Sequence, residues 1–372
     1  MYSVCISYEL IVTAGHRIAA ISLFLAYILL TPKQPYMLRS IMRAIVVHEA
    51  GGPSVLKLET TPTPTPSNGH IRIRVRSFGL NRSEMFTRQG YSPVKFPRVL
   101  GIEAAGEVDL APDDSTGFRK GDVVVTAMGG MGRAFDGGYA EYVVVPASQV
   151  KRIDPVAIFG LGKPVQWDIL GALPELMQTT WGSLKTGLRL EAGDNLLVRG
   201  GTSSVGLAAI ALAKEKGASV TATTRNPARR EMLERQGASD VIIDTGSIAS
   251  KALEKLPSGF TKVLELVGVT TLEDSLHCTR SGGIVCMTGI LGNKWAFTGS
   301  LEPMSLIPTG VYLTTYGGGS ADLLETPIED IAKDLVSGKI NLPIKTFPMD
   351  QIVEAHRLME EKGAGGKIVM LT

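Results

Sequence analysis

The feature that most constrains this chain is a glycine-rich segment between an apolar strand pattern and an apolar helix pattern. The strand pattern NLLVR is followed by GGTSSVG and then by the helical run LAAIALA. Glycines at a strand-to-helix turn let backbone N–H groups and the helix N-terminus approach a pyrophosphate. A tight turn without a ligand uses similar residues, but the flanking strand and helix favour a dinucleotide site. The residues predicted to bind the dinucleotide here are Gly200, Gly201, Thr202, Ser203, Ser204, Val205 and Gly206.

The end of the next strand pattern, SVTATT, indicates which dinucleotide fits. NAD enzymes usually carry an Asp or Glu here to accept hydrogen bonds from the adenosine ribose, and residues 223–226 contain no acid. Thr224 ends the pattern, and Arg225, Arg229 and Arg230 offer guanidinium groups that suit a 2′-phosphate. The alternative is that these arginines form a solvated helix face. The sequence therefore predicts NADPH rather than NADH.

The distribution of strand and helix patterns predicts two domains. Residues 42–165 show short period-two strands separated by Gly, Pro and Asn, which is typical of a β-rich domain. Residues 166–310 alternate strands with helices, which requires a parallel sheet covered by helices. Residues 311–372 contain two helical patterns and the apolar strand KIVML. We expect this last segment to return to the β-rich domain.

Charge and cysteine content exclude several classes of function. The 372 residues include 38 Lys and Arg against 36 Asp and Glu, so no basic excess is available for a nucleic-acid partner. The cysteines Cys5, Cys278 and Cys286 are scattered and form no CxxC pair. Neither a disulfide framework nor a cysteine-rich zinc site follows from them. This pattern suits a reducing compartment and predicts a cytoplasmic location.

The beginning of the chain allows three interpretations. The apolar run IAAISLFLAYILL at residues 18–30 follows His16 and Arg17. It is shorter than the ~20 residues that span a bilayer. Residues 1–41 are therefore a secretory or organelle-targeting segment, an uncleaved membrane anchor or a dispensable leader. The predicted nucleotide site and the cysteine pattern favour the leader, and a membrane is a partner only if the run is an anchor.

Several further segments resemble one enzyme superfamily. They include MRAIVVHEAGGP, GLNRSEMFTRQG, FPRVLGIEAAGEV, FRKGDVVV, GGYAEYVVVP and EAHRLMEEKGAGGKIVML, which together with the glycine loop extend from residue 42 to 372. They resemble the medium-chain dehydrogenase/reductase superfamily, in its zinc-independent quinone oxidoreductase-like branch. The resemblance implies an α/β protein with a GroES-like β-rich catalytic domain built from both chain ends. It also implies a doubly wound Rossmann domain, a cleft between the two domains and a homodimer.

The positions that hold catalytic zinc in related enzymes differ in this sequence. Zinc-dependent relatives have a Cys where this chain has Asn81, and a His where it has Ile102. Asn and Ile replace neither a thiolate nor an imidazole, and the four-cysteine lobe is absent between Gly106 and Gly121. We therefore expect no metal, and we expect Glu103 to have a structural role.

The resemblance also implies roles for individual residues of the cleft. Asn81 is expected to face the nicotinamide or substrate and orient a carbonyl, or else to be a turn residue. Tyr91 resembles the proton-donating tyrosine of enoyl-thioester reductases, with packing in or near the cleft as the alternative. Gly289 and Ile290 are expected to bring backbone close to the nicotinamide. Lys367 is expected to reach a cofactor phosphate, or else to be a surface lysine.

The absence of a Lewis acid favours reduction of an electron-poor acceptor over oxidation of an alcohol. We therefore expect a reductase that transfers hydride from NADPH to quinones or α,β-unsaturated carbonyls. An enoyl-thioester reductase is the alternative enzyme. A low-turnover NADPH-binding protein with an interaction role is the alternative outside catalysis.

Overall fold

The structure is a computed structural model and describes residues 40–361 and 364–372. The apolar run at residues 18–30, with its three interpretations, lies outside the described residues. Within the described part of the chain, no helix is long and apolar enough to cross a membrane.

The strands before residue 155 pair antiparallel, and those between residues 195 and 315 form a parallel sheet. The strands are β1 (Ile41–Val47), β2 (Leu56–Pro62), β3 (His70–Gly79), β4 (Arg98–Val99), β5 (Glu103–Leu110), β6 (Val123–Ala127), β7 (Tyr142–Pro146), β8 (Val150–Arg152), β9 (Asn195–Arg199), β10 (Ser219–Thr224), β11 (Asp240–Ile243), β12 (Phe260–Glu265), β13 (Thr279–Met287), β14 (Tyr312–Thr315), β15 (Ile344–Pro348) and β16 (Lys367–Leu371).

Most of the helices lie in the second half of the chain. They are α1 (Arg82–Arg88), α2 (Pro155–Phe159), α3 (Trp167–Ala172), α4 (Pro174–Gly182), α5 (Ser204–Glu215), α6 (Arg230–Gln236), α7 (Ala249–Lys255), α8 (Leu272–His277), α9 (Pro303–Leu306), α10 (Ser320–Glu325), α11 (Ile328–Val336) and α12 (Ile352–Glu360). A π-helical turn at Ser183–Gly187 continues α4.

The parallel sheet has the strand order β11-β10-β9-β12-β13-β14. This is the order of a doubly wound dinucleotide-binding fold, whose crevice opens where the order reverses, between β9 and β12. Leu196, Leu197 and Val198 of β9 are all fully buried, because helices cover both faces of the sheet. The α/β fold class predicted from the sequence is confirmed.

A seven-stranded, mainly antiparallel sheet and the three-stranded sheet β2-β1-β4 form the GroES-like domain, and the larger one is called the antiparallel sheet below. It has the path β15-β16-β3-β5-β6-β8, with β7 also paired to β3. In β3, Ile71, Ile73 and Val75 are buried, whereas Arg72 and Arg76 pair with acids on β5. The last strand, β16, pairs antiparallel with β3, so the chain end returns to the first sheet.

Two sheet assignments differ from the predicted domain limits. Strand β14 pairs with β13, so the parallel sheet extends beyond residue 310 to Thr315. Helix α3 lies after residue 166 but packs on β3 and β16 of the antiparallel sheet. Its Trp167 carbonyl oxygen accepts a hydrogen bond from the Ser77 hydroxyl at 2.5 Å. The sequence pattern of a short helix does not reveal which sheet it will cover.

Helix α4 joins the two sheets. It packs against α5 on the parallel side and against β5 and β6 on the antiparallel side. Leu176 of α4 and Ala208 of α5 share one apolar cluster with Val125 and Val369. The side chains of α4 that reach the cleft are therefore held in place by packing against both sheets.

Candidate active site

The glycine loop between β9 and α5 has no room for a side chain at its glycine positions. Gly200 has a φ of +88°, a conformation that favours glycine. A Cβ on Gly206 would lie 2.5 Å from the Gly200 carbonyl oxygen. Ser203 caps α5, because its hydroxyl oxygen accepts from the Gly206 N–H at 3.1 Å and donates to the Gly200 carbonyl. The loop therefore presents backbone donors and a helix N-terminus, which together form an anion-binding surface.

A cleft of about 840 Å³ opens above this loop and extends to the antiparallel sheet. Most of the site residues predicted from the sequence line it. They are Asn81, Gly200, Thr202, Ser203, Ser204, Val205, Thr224, Arg225, Arg229, Gly289 and Ile290. Gly201 and Gly206 do not line the cleft; they pack beneath the loop against Thr223 and the loop carbonyls.

The end of β10 carries basic side chains and has no free acid beside it. Arg225 is exposed and Arg229 is half-buried, and both line the cleft. Asp244, which follows β11, also lines the cleft, but Arg199 donates to both of its carboxylate oxygens at 3.0 and 3.2 Å. Arg230 points elsewhere and pairs with Glu234 on its own helix. This corner therefore presents Arg225 and Arg229 at the cleft, beside a carboxylate that is already hydrogen-bonded.

The opposite wall of the cleft contains a buried group of charged side chains. The Lys367 ammonium donates to Asn81 Oδ1 at 2.6 Å and to Glu103 Oε1 at 2.8 Å. The Asn81 amide donates to Glu103 at 2.8 Å and to Glu84 at 3.3 Å. Glu103 also accepts from the Glu175 backbone N–H at 2.8 Å. We call these five residues the carboxyl cluster.

Burial sets the protonation of the carboxyl cluster. It raises the pKa of Glu84 to about 8, although the Ile102 N–H hydrogen bond acts in the opposite direction. Burial also raises the pKa of Glu175, against the effect of the Lys367 charge. The pKa of Lys367 is raised despite its burial, because Glu103 and Glu175 stabilise the ammonium. A charged lysine and at least one neutral carboxyl therefore coexist at neutral pH.

Comparison with known proteins identifies the family. Residues 67–155 match the family described as alcohol dehydrogenase GroES-like domain, and residues 204–333 match the family described as zinc-binding dehydrogenase. The human quinone oxidoreductase is 25% identical over 342 residues, which is 90% of this chain and 98% of that protein. The chain belongs to the quinone oxidoreductase-like branch of the medium-chain dehydrogenase/reductase superfamily. It is therefore an oxidoreductase.

Two further relatives of this medium-chain oxidoreductase are similarly distant. The acryloyl-coenzyme A reductase of Sulfurisphaera tokodaii is 25% identical over 352 residues, covering 88% of this chain and 99% of that protein. The structure of mycobacterial Rv1454c complexed with NADPH has a TM-score of 0.76 and 25% identity, covering 89% of this chain and 100% of that one. Similarity thus extends over nearly the whole length of these enzymes.

Although one of the matched families is named for zinc, the residues of this medium-chain oxidoreductase do not fit the metal. Both donors of the Asn81 amide and its oxygen are already bonded within the carboxyl cluster, and Ile102 is a buried apolar side chain. Across residues 40–361 and 364–372, no group of three His, Cys, Asp or Glu side chains could hold a metal ion. The thiols of Cys278 and Cys286 are buried elsewhere.

Two predicted site residues have different surroundings from those expected. The side chain of Lys367 is 1% exposed and points into the carboxyl cluster, so it is neither a surface lysine nor directed at a phosphate. Tyr91 is 71% exposed and does not line the cleft. Its ring makes a T-shaped contact with Phe86, and Phe86 and Trp295 line that part of the cleft instead. The sequence pattern does not show which of these three aromatic residues line the cleft.

The groups that support the loop from below were not predicted from the sequence. Arg199 is fully buried and donates to Asp244, to Asp274 at 2.6 Å and to the Gly246 carbonyl at 2.9 Å. Glu265, at the end of β12, accepts from the backbone N–H of Val267 at 2.6 Å. A charged residue at the end of an otherwise apolar strand is the signal that could have found both.

Asn81 lines the cleft, but its polar atoms are already used. Its two amide hydrogens face Glu103 and Glu84, and its oxygen accepts from Lys367. The predicted role of orienting a substrate carbonyl would require one of these bonds to be exchanged. The structure gives Asn81 a place within the wall of the cleft rather than a free amide.

Proposed function

We propose that this oxidoreductase uses NADPH, without zinc, to reduce quinones or α,β-unsaturated carbonyl compounds. The observation that carries the proposal is the pair of arginines lining the cleft at the end of β10, where an acid would serve NAD. Asp244, the nearby carboxylate of the cleft, is held by Arg199 and so is not offered to a ribose. The relatives named for quinone and acryloyl-coenzyme A reduction, and the one complexed with NADPH, support the same proposal.

The loop residues provide the binding surface for the nucleotide. Backbone N–H groups at residues 202–204 and the N-terminus of α5 suit the pyrophosphate, and Arg225 with Arg229 suits the 2′-phosphate. Gly289 permits close backbone approach, since a Cβ there would lie 2.3 Å from the Leu266 carbonyl oxygen. When bound, NADPH supplies the hydride.

On the acceptor side of the cleft, the residues at the zinc-ligand positions of related enzymes do not suit the oxidation of an alcohol. Asn81 and Ile102 supply no thiolate or imidazole for a Lewis acid. A quinone or conjugated carbonyl accepts hydride with less electrostatic assistance, so positioning and exclusion of water supply most of the catalysis. The rings of Phe86 and Trp295 give this part of the cleft an apolar lining for a flat acceptor.

Nucleotide affinity tests the cofactor. We expect the wild-type protein to bind NADPH more tightly than NADH in a fluorescence titration. Losing a charge-assisted hydrogen bond worth about 1.5–3 kcal/mol should make Arg225→Ala bind NADPH about 10- to 150-fold more weakly, with NADH binding unchanged. Arg230→Ala is the matched control, because Arg230 pairs with Glu234. Equal wild-type affinities for the two nucleotides would contradict the proposal.

Turnover and metal content test the reaction. NADPH oxidation is measured with quinones, enones and enoyl thioesters, and we expect the first two classes to be reduced. Strong preference for thioesters would favour the enoyl-thioester alternative, and binding without oxidation would favour a low-turnover NADPH-binding protein. One tightly held zinc ion per chain in the purified protein would overturn the zinc-free part of the proposal.

A further inference from the structure

One carboxyl of the carboxyl cluster faces the cleft while the others are shielded. Glu175 lines the cleft and its side chain is 17% exposed, whereas Glu84 and Glu103 do not line it and are at most 1% exposed. Glu175 stands at the start of α4, one turn before Thr179, which also lines the cleft. The Thr179 hydroxyl donates to Glu175 Oε1 at 2.9 Å and fixes the orientation of the carboxyl.

The charges around Glu175 leave it only partly compensated. Lys367 forms its short contacts with Asn81 and Glu103, and its ammonium is 3.9 Å from Glu175 Oε2, beyond hydrogen-bond distance. The cluster contains three carboxyls and one ammonium. Because burial raises the pKa of Glu84 to about 8, ionised Glu103 and Glu175 would leave one uncompensated negative charge in a buried place at neutral pH. A proton on Glu175 relieves this imbalance, and the cleft gives that proton a route to a bound acceptor.

We propose that Glu175 is the catalytic acid that protonates the α-carbon of a reduced α,β-unsaturated carbonyl substrate. The inference rests on the proposed function. Hydride from the reduced nicotinamide nucleotide forms a C–H bond at the β-carbon, and the electron pair of the C=C bond moves onto the carbonyl oxygen as an enolate. The enolate then takes the Glu175 proton at its α-carbon and the carbonyl re-forms. The Glu175 carboxylate regains its proton from water.

The titration of Glu175 depends on groups from several elements. Glu103 on β5 favours the protonated form, and Lys367 on β16 favours the ionised form. Thr179, on the same helix, donates to the carboxyl and favours ionisation slightly. Burial outweighs these opposing effects and raises the pKa of Glu175. The acid is therefore available closer to neutral pH than an ordinary glutamate is.

Glu175→Gln tests the inference, because the two side chains have the same shape and only the acid is lost. We expect enone turnover to fall roughly 10²–10³-fold with NADPH affinity unchanged, as for the loss of a general acid. Quinone turnover should fall much less, because a hydroquinone oxygen takes its proton readily from water. Glu175→Asp should restore part of the enone turnover, which a purely structural role would not require.

A measurement without the nucleotide makes the test independent of turnover. Infrared difference spectra of the nucleotide-free protein between pH 5 and 9 should show carboxyl C=O absorption from both Glu84 and Glu175. The part due to Glu175 should disappear in Glu175→Gln and persist in a Glu84→Gln control, since Glu103 and Lys367 are the charges that act on Glu175. An unchanged carboxyl band, or an unchanged enone rate and pH profile in Glu175→Gln, would overturn the inference. A wild-type protein that reduces neither enones nor quinones would instead overturn the proposed function.

Discussion

Glu84 allows a quantitative prediction, because its carboxyl is buried without full compensation. The residue is 1% exposed, and its Oε1 accepts from the Ile102 N–H at 3.1 Å. Its Oε2 is buried and has no hydrogen-bond partner. An ionised carboxylate would leave that oxygen desolvated, which is why burial raises the pKa of Glu84 to about 8. We predict that Glu84→Gln alters how stability depends on pH.

The direction follows from proton counting. The folded state keeps the Glu84 proton up to about pH 8, whereas the unfolded chain releases it near 4.5. Between these values the folded state binds more protons, so the free energy of unfolding falls as pH rises. At about 1.4 kcal/mol per pKa unit, the full loss is roughly 5 kcal/mol, of which about 4 kcal/mol falls between pH 5 and pH 9. Glutamine does not titrate and avoids this loss.

Urea unfolding at pH 5, 7 and 9 measures the effect. Glu84→Gln should also lower the free energy of unfolding by about 1–3 kcal/mol at every pH. The glutamine amide group takes the place of the oxygen that has no hydrogen-bond partner, so a buried N–H donor is left unsatisfied. We therefore expect the variant to be less stable than wild type at pH 5 and equal or more stable at pH 9. The exposed Glu231→Gln, which loses only a surface ion pair with Arg235, is the control. A stability difference constant within about 1 kcal/mol across this range would refute the reasoning.

Three further substitutions test the buried support of the loop, nucleotide binding by the loop, and the role of Tyr91. Arg199→Met should lower the free energy of unfolding by about 3–5 kcal/mol, since it leaves the buried Asp244 and the half-buried Asp274 uncompensated; a loss below about 1 kcal/mol in urea unfolding would contradict this. Gly206→Ala should abolish NADPH binding in a fluorescence titration, because its Cβ would meet the Gly200 carbonyl; retained affinity would count against the loop as the binding surface. Tyr91→Phe should keep turnover within about twofold, as expected for an exposed surface substitution, and a tenfold fall would restore its role as a proton donor.

The position of the glycine loop in the fold was predictable because its signal is contiguous in sequence. The strand, the glycines and the helix that begins at Ser204 follow one another within about twenty residues, and backbone geometry alone dictates where they go. The basic corner at Arg225 lies one strand further along the same unit. Parallel order then brings both to one edge of the sheet, so no long-range contact had to be guessed.

The substrate half was less predictable because it is assembled from distant segments. Lys367 meets Glu103 across 264 positions of sequence, through the pairing of β16 with β3. Resemblance placed Lys367 near the cleft but could not show whether it points outward or inward. Glu175 was not predicted at all, since a single acid at the start of a short helix has no distinctive pattern.

Electrostatics explain why these distant residues form one group. Glu103 is fully buried at the start of β5, and an isolated carboxylate there would be strongly disfavoured. In a metal site the cation would balance that charge, whereas here the Lys367 ammonium does so from the last strand. Because Lys367 is committed to Glu103, it cannot also neutralise Glu175 at hydrogen-bond distance. Glu175 therefore lies at the cleft without a cation at hydrogen-bond distance, and the proposed protonation step rests on this arrangement.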